Sequence, residues 1–147
     1  MSAYRNVILL VEDSPADEEL IRIALDENRI SNRVDVARDG QEALDYLFGT
    51  GEHAGRDASQ LPMVMLLDLH LPKVEGLEVL RRVRENERTR LLPVVILTSS
   101  NEQKDRVAGY GLGCNSYVRK PIEFGEFSEA VKQLGLYWLV LNLPAIG

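Results

Sequence analysis

Three runs of consecutive apolar residues punctuate the chain: Val7-Ile8-Leu9-Leu10-Val11, Met63-Val64-Met65-Leu66-Leu67 and Pro93-Val94-Val95-Ile96-Leu97. Aliphatic and β-branched runs without polar alternation mark strands covered on both faces. Such strands need helices above and below them, and helix-like segments lie between the runs. Ser14-Pro15-Ala16-Asp17 reads as a helix start, with Ser14 as N-cap, Pro15 at the first helical position and Asp17 near the positive helix end. Leu20, Ile21, Ala24 and Leu25 then recur at helical spacing. Residues 33–37 alternate as a half-buried strand does. Asp39 caps a second helix, with Glu42 three residues on and Ala43, Leu44 and Leu47 inside.

Residues 49–61, rich in Gly, Ser and charge, read as a loop. Leu77, Leu80 and Val83 mark a third helix, and residues 102–110 a fourth, ended by Gly109, Gly111 and Gly113. Ser116-Tyr117-Val118 is a short strand, and a last helix starting at Phe124 carries Phe127, Ala130, Val131 and Leu134. Five strands alternating with five helices predict an α/β fold, a doubly wound five-stranded parallel sheet. One domain over 1–147 is expected, with a core over about 5–135 and a hydrophobic extension over 136–147.

Composition excludes several classes. A net charge of −6 with no basic block argues against nucleic-acid binding, because phosphate contacts need clustered Lys and Arg. No apolar stretch approaches the roughly 20 residues that span a membrane, and the run at 7–11 is too short for a signal peptide. Cys114 is the sole cysteine, so no internal disulfide forms, and it reads as a packing residue. A cytoplasmic chain is the expectation. His53 reads as a solvated loop residue. The Gly109, Gly111, Gly113 series follows a helix and lacks the spacing of a dinucleotide loop.

In doubly wound folds the working crevice lies beyond the carboxyl ends of the strands. Glu12 and Asp13 follow the first strand, Asp68 ends the central run, Thr98 ends the next, and Lys120-Pro121 follow the short fifth strand. Singly, such residues are commonly caps or solvated loop groups; together they converge on one sheet edge. Three acids held close repel one another, and a divalent cation relieves that conflict. Oxygen-only ligands with room for water suit Mg2+. An aspartate beside Mg2+ attacks phosphorus, while the lysine and threonine hold the remaining oxygens, so the implied product is an acyl phosphate.

Four segments carry a resemblance: Leu10-Val11-Glu12-Asp13-Ser14, Leu66-Leu67-Asp68-Leu69-His70-Leu71-Pro72, Val95-Ile96-Leu97-Thr98-Ser99 and Ser116-Tyr117-Val118-Arg119-Lys120-Pro121. In order and at this spacing, the chain resembles the receiver domain of two-component response regulators over nearly its whole length. The resemblance implies a flavodoxin-like (βα)5 fold and phosphoryl transfer from a sensor histidine kinase to Asp68. It further implies Asp13 as the main Mg2+ ligand, Glu12 as a second acid acting through water, and the backbone carbonyl of His70 as a third ligand. Thr98 matches the switch hydroxyl, Lys120 the invariant lysine in a cis peptide with Pro121, and Tyr117 the aromatic that turns inward when the threonine moves. Glu12 stands where aspartate is commoner, and His70 where asparagine is usual, a position that tunes phosphoryl loss.

The loop at 49–61, the Asp-Leu-His-Leu-Pro run and the apolar tail bring the chain nearer to the single-domain regulators paired with bacterial and cyanobacterial phytochromes. With no output domain visible, the expected output is a protein contact: a downstream protein, a phosphorelay partner or a second copy. Leu136, Tyr137, Trp138, Leu139, Val140 and Leu141 are apolar all around a helix, which suggests a homodimer through this tail. Three other readings share the pattern in part. A haloacid-dehalogenase-type phosphatase needs a second aspartate two residues after the nucleophile, where His70 stands. A flavin-binding module wants a phosphate loop after the first strand, where Glu12 and Asp13 repel phosphate. A degenerate, unphosphorylated interaction domain would lack reactive positions that are all present here.

Overall fold

The computed structural model describes residues 7–27, 32–99 and 103–119. The strands are β1 (Val7–Val11), β2 (Arg33–Ala37), β3 (Val64–Leu67), β4 (Val94–Thr98) and β5 (Ser116–Arg119). The helices are α1 (Pro15–Glu27), α2 (Gly40–Phe48), α3 (Gly76–Glu85) and α4 (Gln103–Gly111). The strands form one parallel sheet in the order β2-β1-β3-β4-β5. This is the five-stranded α/β arrangement expected from the apolar runs. Lys120, Pro121, the expected fifth helix and the tail at 136–147 lie outside the described residues.

Alternation along each strand divides the core in two. Ile8 and Leu10, Val64 and Leu66, Val95 and Leu97 face α1 and pack with Ile21, Ala24 and Leu25. Leu9 and Val11, Met65 and Leu67, Val94 and Ile96 face the other way, onto α2 and α3. The apolar runs are unbroken because both faces are covered, and period-2 geometry sends neighbours to opposite sides. β2 is an edge strand. Val34 and Val36 pack on the α1 side and Ala37 on the other, while Asp35 accepts the hydroxyl of Tyr46 from α2 at 2.6 Å. Burial works to raise the Asp35 pKa, but the Tyr46 hydroxyl and the Arg33 guanidinium outweigh it and hold the carboxyl below its ordinary value.

Capping follows the expected residues with one shift. The Asp39 side chain accepts the Glu42 N–H at 2.7 Å, and the Glu42 carboxylate reaches back to the N–H of Arg38 at 3.0 Å, one position before the cap. Residues 49–61 contain a 3-10 turn at Gly51–His53. His53 is not the solvated residue its polar neighbours suggest. It is half-buried, with Nε2 3.3 Å from Glu42 and its ring edge-on to Tyr46. Arg56 and Arg88 tie this segment down. Arg56 lies over the Tyr46 ring and donates to the Tyr46 and Gln60 carbonyls, and Arg88 donates to those of Leu47 and Ala58.

A third arginine joins elements far apart in the chain. Arg84 on α3 donates to the carbonyl of Gly113 from Nε and Nη2 at 2.9 and 2.7 Å, to that of Leu92 at 2.7 Å and to Asn115 Oδ1 at 3.1 Å. Asn115 Oδ1 also accepts the N–H of Val94, so one cation sets the starts of β4 and β5. Cys114 beside it is buried in the core, where burial pushes its thiol pKa up, in keeping with a packing role. Arg84→Met should cost about 2–3 kcal/mol, because the carbonyls it serves lose a charged donor. Arg84→Lys should recover only part of this, lacking the planar fork. Urea unfolding measures both; a methionine variant with the native midpoint contradicts the account.

Candidate functional site

The strand order reverses direction between β1 and β3, the point at which folds of this order place their ligands. Val11 and Leu67 are register partners there, so the next residues, Glu12 and Asp68, emerge side by side. Main-chain bonds fix both: Asp68 N–H to the Val11 carbonyl at 3.1 Å, and Glu12 N–H to the Ala37 carbonyl at 2.9 Å. Thr98, the last residue of β4, enters from the other side. Its Oγ1 donates to Asp68 Oδ1 at 3.0 Å, and the His70 N–H donates to the same oxygen at 3.2 Å. Glu12, Asp68 and Thr98 are 1 %, 8 % and 0 % exposed, an unusual depth for carboxylates.

The loop after β3 holds Asp68 from behind. Gly76 N–H donates to the Leu69 carbonyl at 2.9 Å, and the Gly76 Cα lies so near that a Cβ there would stand 2.2 Å from the Asp68 carbonyl oxygen. Gly40, the first residue of α2, is pressed equally hard on Val74, where a Cβ would meet the carbonyl oxygen at 1.8 Å. Between these contacts Lys73 adopts φ 66, bracketed by a Val74 N–H to Pro72 carbonyl bond of 2.7 Å. A non-glycine residue in the left-handed region within a three-residue turn is strained, and its neighbours hold it there.

One carboxylate at the site was not anticipated. Glu12, Asp17 and Asp68 each present an oxygen within 4.8 Å of the others. Asp13 is exposed and is not one of the three. Asp17 read as a helix-end acid because only the turn between β1 and α1, not local composition, carries its side chain back to the sheet. The donor set fits a hard divalent cation: oxygen atoms only, with two of the three acids buried. Glu12 and Asp68, with Asp17, are the side chains that could hold Mg2+. His70 exposes its side chain while its backbone borders Asp68. Tyr117 is half-buried on β5, its ring 6.4 Å from that of Tyr110 and its N–H donating to the Tyr110 hydroxyl at 3.2 Å. Val107 and Tyr110 leave α4 with exposed apolar surface.

A buried strand-end aspartate at the switch point of a 2-1-3-4-5 sheet, bonded to a strand-end hydroxyl and ringed by acids, is the arrangement of a receiver-type signalling domain. The comparisons agree. The response regulator receiver domain family matches residues 8–132, and the chain belongs to that family. It is 38% identical to response regulator Rcp1 of Synechocystis sp. over 95% of this chain and 93% of that protein. The Mn(2+)-bound form of Rcp1 superposes with a TM-score of 0.85 at 36% identity over 94% of this chain and 97% of that one. The phosphorylated cyanobacterial phytochrome response regulator RcpA gives 0.86 at 35% identity, over 95% and 97%. A probable methanogenesis regulatory protein, FilR2 of Methanothrix harundinacea, is 43% identical over 92% of this chain and 85% of its own length. Among the described residues no helix is long and apolar enough to cross a membrane.

Proposed function

We propose that the chain is a phosphorylation-driven signalling switch in which Asp68 accepts a phosphoryl group from a sensor histidine kinase. The observation that carries this reading is the Asp68 carboxylate, buried beside Glu12 and Asp17 yet bonded through Oδ1 to Thr98. Thr98 Oγ1 and the His70 N–H hold Oδ1 in place, and Oδ2 is the oxygen assigned to attack phosphorus. The new Oδ2–P bond forms as the bond from phosphorus to the kinase histidine breaks. Mg2+, when bound, neutralises the phosphoryl oxygens. Asp13 and the His70 carbonyl would supply further ligands, and Lys120 would pair with a phosphoryl oxygen. His70 at the position two residues on supplies no carboxylic acid, which disfavours phosphatase turnover.

The phosphoryl group competes with Asp68 Oδ1 for the Thr98 hydroxyl. Thr98 then shifts, and Tyr117 turns inward into the space it leaves, so the α4–β5 surface changes for its protein partner. The likeness to the cyanobacterial phytochrome response regulator RcpA supports a phytochrome-type kinase as donor. A homodimer through Leu136, Tyr137, Trp138, Leu139 and Leu141 is part of the same proposal, as is a cytoplasmic setting without enzymatic output. Incubation with acetyl phosphate and Mg2+ should add the mass of one phosphoryl group, and a chelator should prevent it. Release of phosphate from p-nitrophenyl phosphate without a covalent adduct would instead make the protein a phosphatase.

A further inference from the structure

Helix α2 is only partly capped by its own residues. Asp39 accepts the N–H of Glu42, but the N–H of Gly40 is donated across to the Pro72 carbonyl at 3.3 Å, in the loop that follows Asp68. The packing there leaves no slack. A Cβ at Gly40 would stand 1.8 Å from the Val74 carbonyl oxygen and 2.6 Å from its carbon, so main chain lies on main chain. Lys73, between these two contacts, is held at φ 66. Its Nζ lies 3.7 Å from Asp39 Oδ2, but a lysine side chain 69% exposed adds little to the hold. Earlier in the loop, the His70 N–H donates to Asp68 Oδ1 at 3.2 Å. One short loop, strained at Lys73, is thus bonded first to the Asp68 carboxylate and then to the start of α2.

We infer that this loop is a lever that carries the state of Asp68 to the first turn of α2. The inference rests on the receiver reading and adds to it a second responding surface, separate from α4 and β5. When Oδ2 is bonded to phosphorus, Oδ1 changes from a carboxylate oxygen sharing the negative charge into the neutral carbonyl oxygen of an acyl phosphate. The bond from the His70 N–H then loses its charge assistance. A non-glycine residue in the left-handed region persists only while its surroundings over-determine it. A weaker hold at His70 therefore lets Lys73 relax toward negative φ. That rotation turns the Pro72 carbonyl away from the Gly40 N–H, and the contact with Val74 forces the first turn of α2 to give way. Glu42 in that turn accepts the Arg38 N–H and meets His53, so the segment at 49–61 shares the displacement.

Amide hydrogen exchange on the full chain, followed by NMR with and without acetyl phosphate and Mg2+, tests this, with the phosphoryl mass read on the same sample. In the phosphorylated chain the Gly40 amide should exchange about tenfold faster, a typical size for coupling between two sites. The amide of Leu25, buried on α1, should keep its rate. Lys73→Gly, for which a left-handed turn carries no strain, should accept the phosphoryl group and lose most of the acceleration at Gly40. Lys73→Arg, which keeps both the strain and the charge, should behave as wild type. A phosphorylated chain with unchanged exchange at Gly40 overturns the inference and leaves the receiver reading standing. Equal acceleration at Leu25 overturns it as general loosening. Full acceleration in Lys73→Gly overturns it by removing the strained turn from the coupling. A chain that gains no phosphoryl mass overturns the receiver reading, and the inference with it.

Discussion

Asp68→Asn is expected to give a folded chain that gains no phosphoryl mass from acetyl phosphate and Mg2+. The substitution is nearly isosteric. Asparagine keeps an oxygen at the Oδ1 position, so the bonds from Thr98 Oγ1 at 3.0 Å and from the His70 N–H at 3.2 Å survive. What is lost is the anionic oxygen that attacks phosphorus, since an amide nitrogen has no comparable nucleophilicity. The same change removes one charge from three carboxylates gathered within 4.8 Å. Two unit charges at that separation repel by about 1 kcal/mol even in a water-like medium. The metal-free variant should therefore melt a few degrees above wild type, and added Mg2+ should stabilise it less. Loss of the adduct with a sharply lower melting point would mean instead that Asp68 is a structural residue. An adduct that persists at full yield would place the acceptor elsewhere.

Gly76→Ala should carry a large stability cost for a single added methyl. The new Cβ would stand 2.2 Å from the Asp68 carbonyl oxygen and 2.7 Å from the Leu69 Cα. Both are main-chain atoms, so no rotamer change relieves the contact. The backbone at Asp68 must move, and the Gly76 N–H to Leu69 bond moves with it. Alanine's helix propensity returns up to about 1 kcal/mol over glycine, but overpacking of this severity costs about 3 kcal/mol, so the clash wins. Gly55→Ala is the control, since no atom outside its chain neighbours lies within 4 Å of its added Cβ. Guanidinium unfolding should separate the two clearly, and Gly76→Ala should also slow phosphorylation. Matching midpoints would show that the loop after β3 yields easily and does not hold Asp68.

The contrast between what was legible in the chain and what was not has a physical cause. β1, β3 and β4 announced themselves because a strand buried on both faces has no polar positions to confuse its composition. The ends of those strands then named Glu12, Asp68 and Thr98, since parallel register carries neighbouring strand ends to one edge. β2 was legible by its alternation, in keeping with its place at the edge of the sheet. Asp17 was read as a helix-end acid because its approach to Glu12 and Asp68 is made across the turn between β1 and α1 and leaves no local pattern. Asp13 shows the converse: it stands beside Glu12 in sequence, yet is exposed while Glu12 is buried. The ties made by Arg84 and Arg88 leave no local pattern either, because their partners lie up to 41 residues away. His53 was misjudged for the same reason, its partners Glu42 and Tyr46 belonging to the preceding helix.

The hydrogen bonds that set Glu12 and Asp68 run to the main chain of neighbouring strands, and Thr98 is held by its own strand. The reacting groups are therefore insulated from most substitutions on the helices. Val107, exposed on α4, belongs to neither interior packing group. A duplicated copy of such a gene can alter the surface it shows to partners by exchanging residues of this kind, and its acceptor chemistry is inherited intact. Recognition and reaction can drift apart in evolution because one is written on helix exteriors and the other in sheet register.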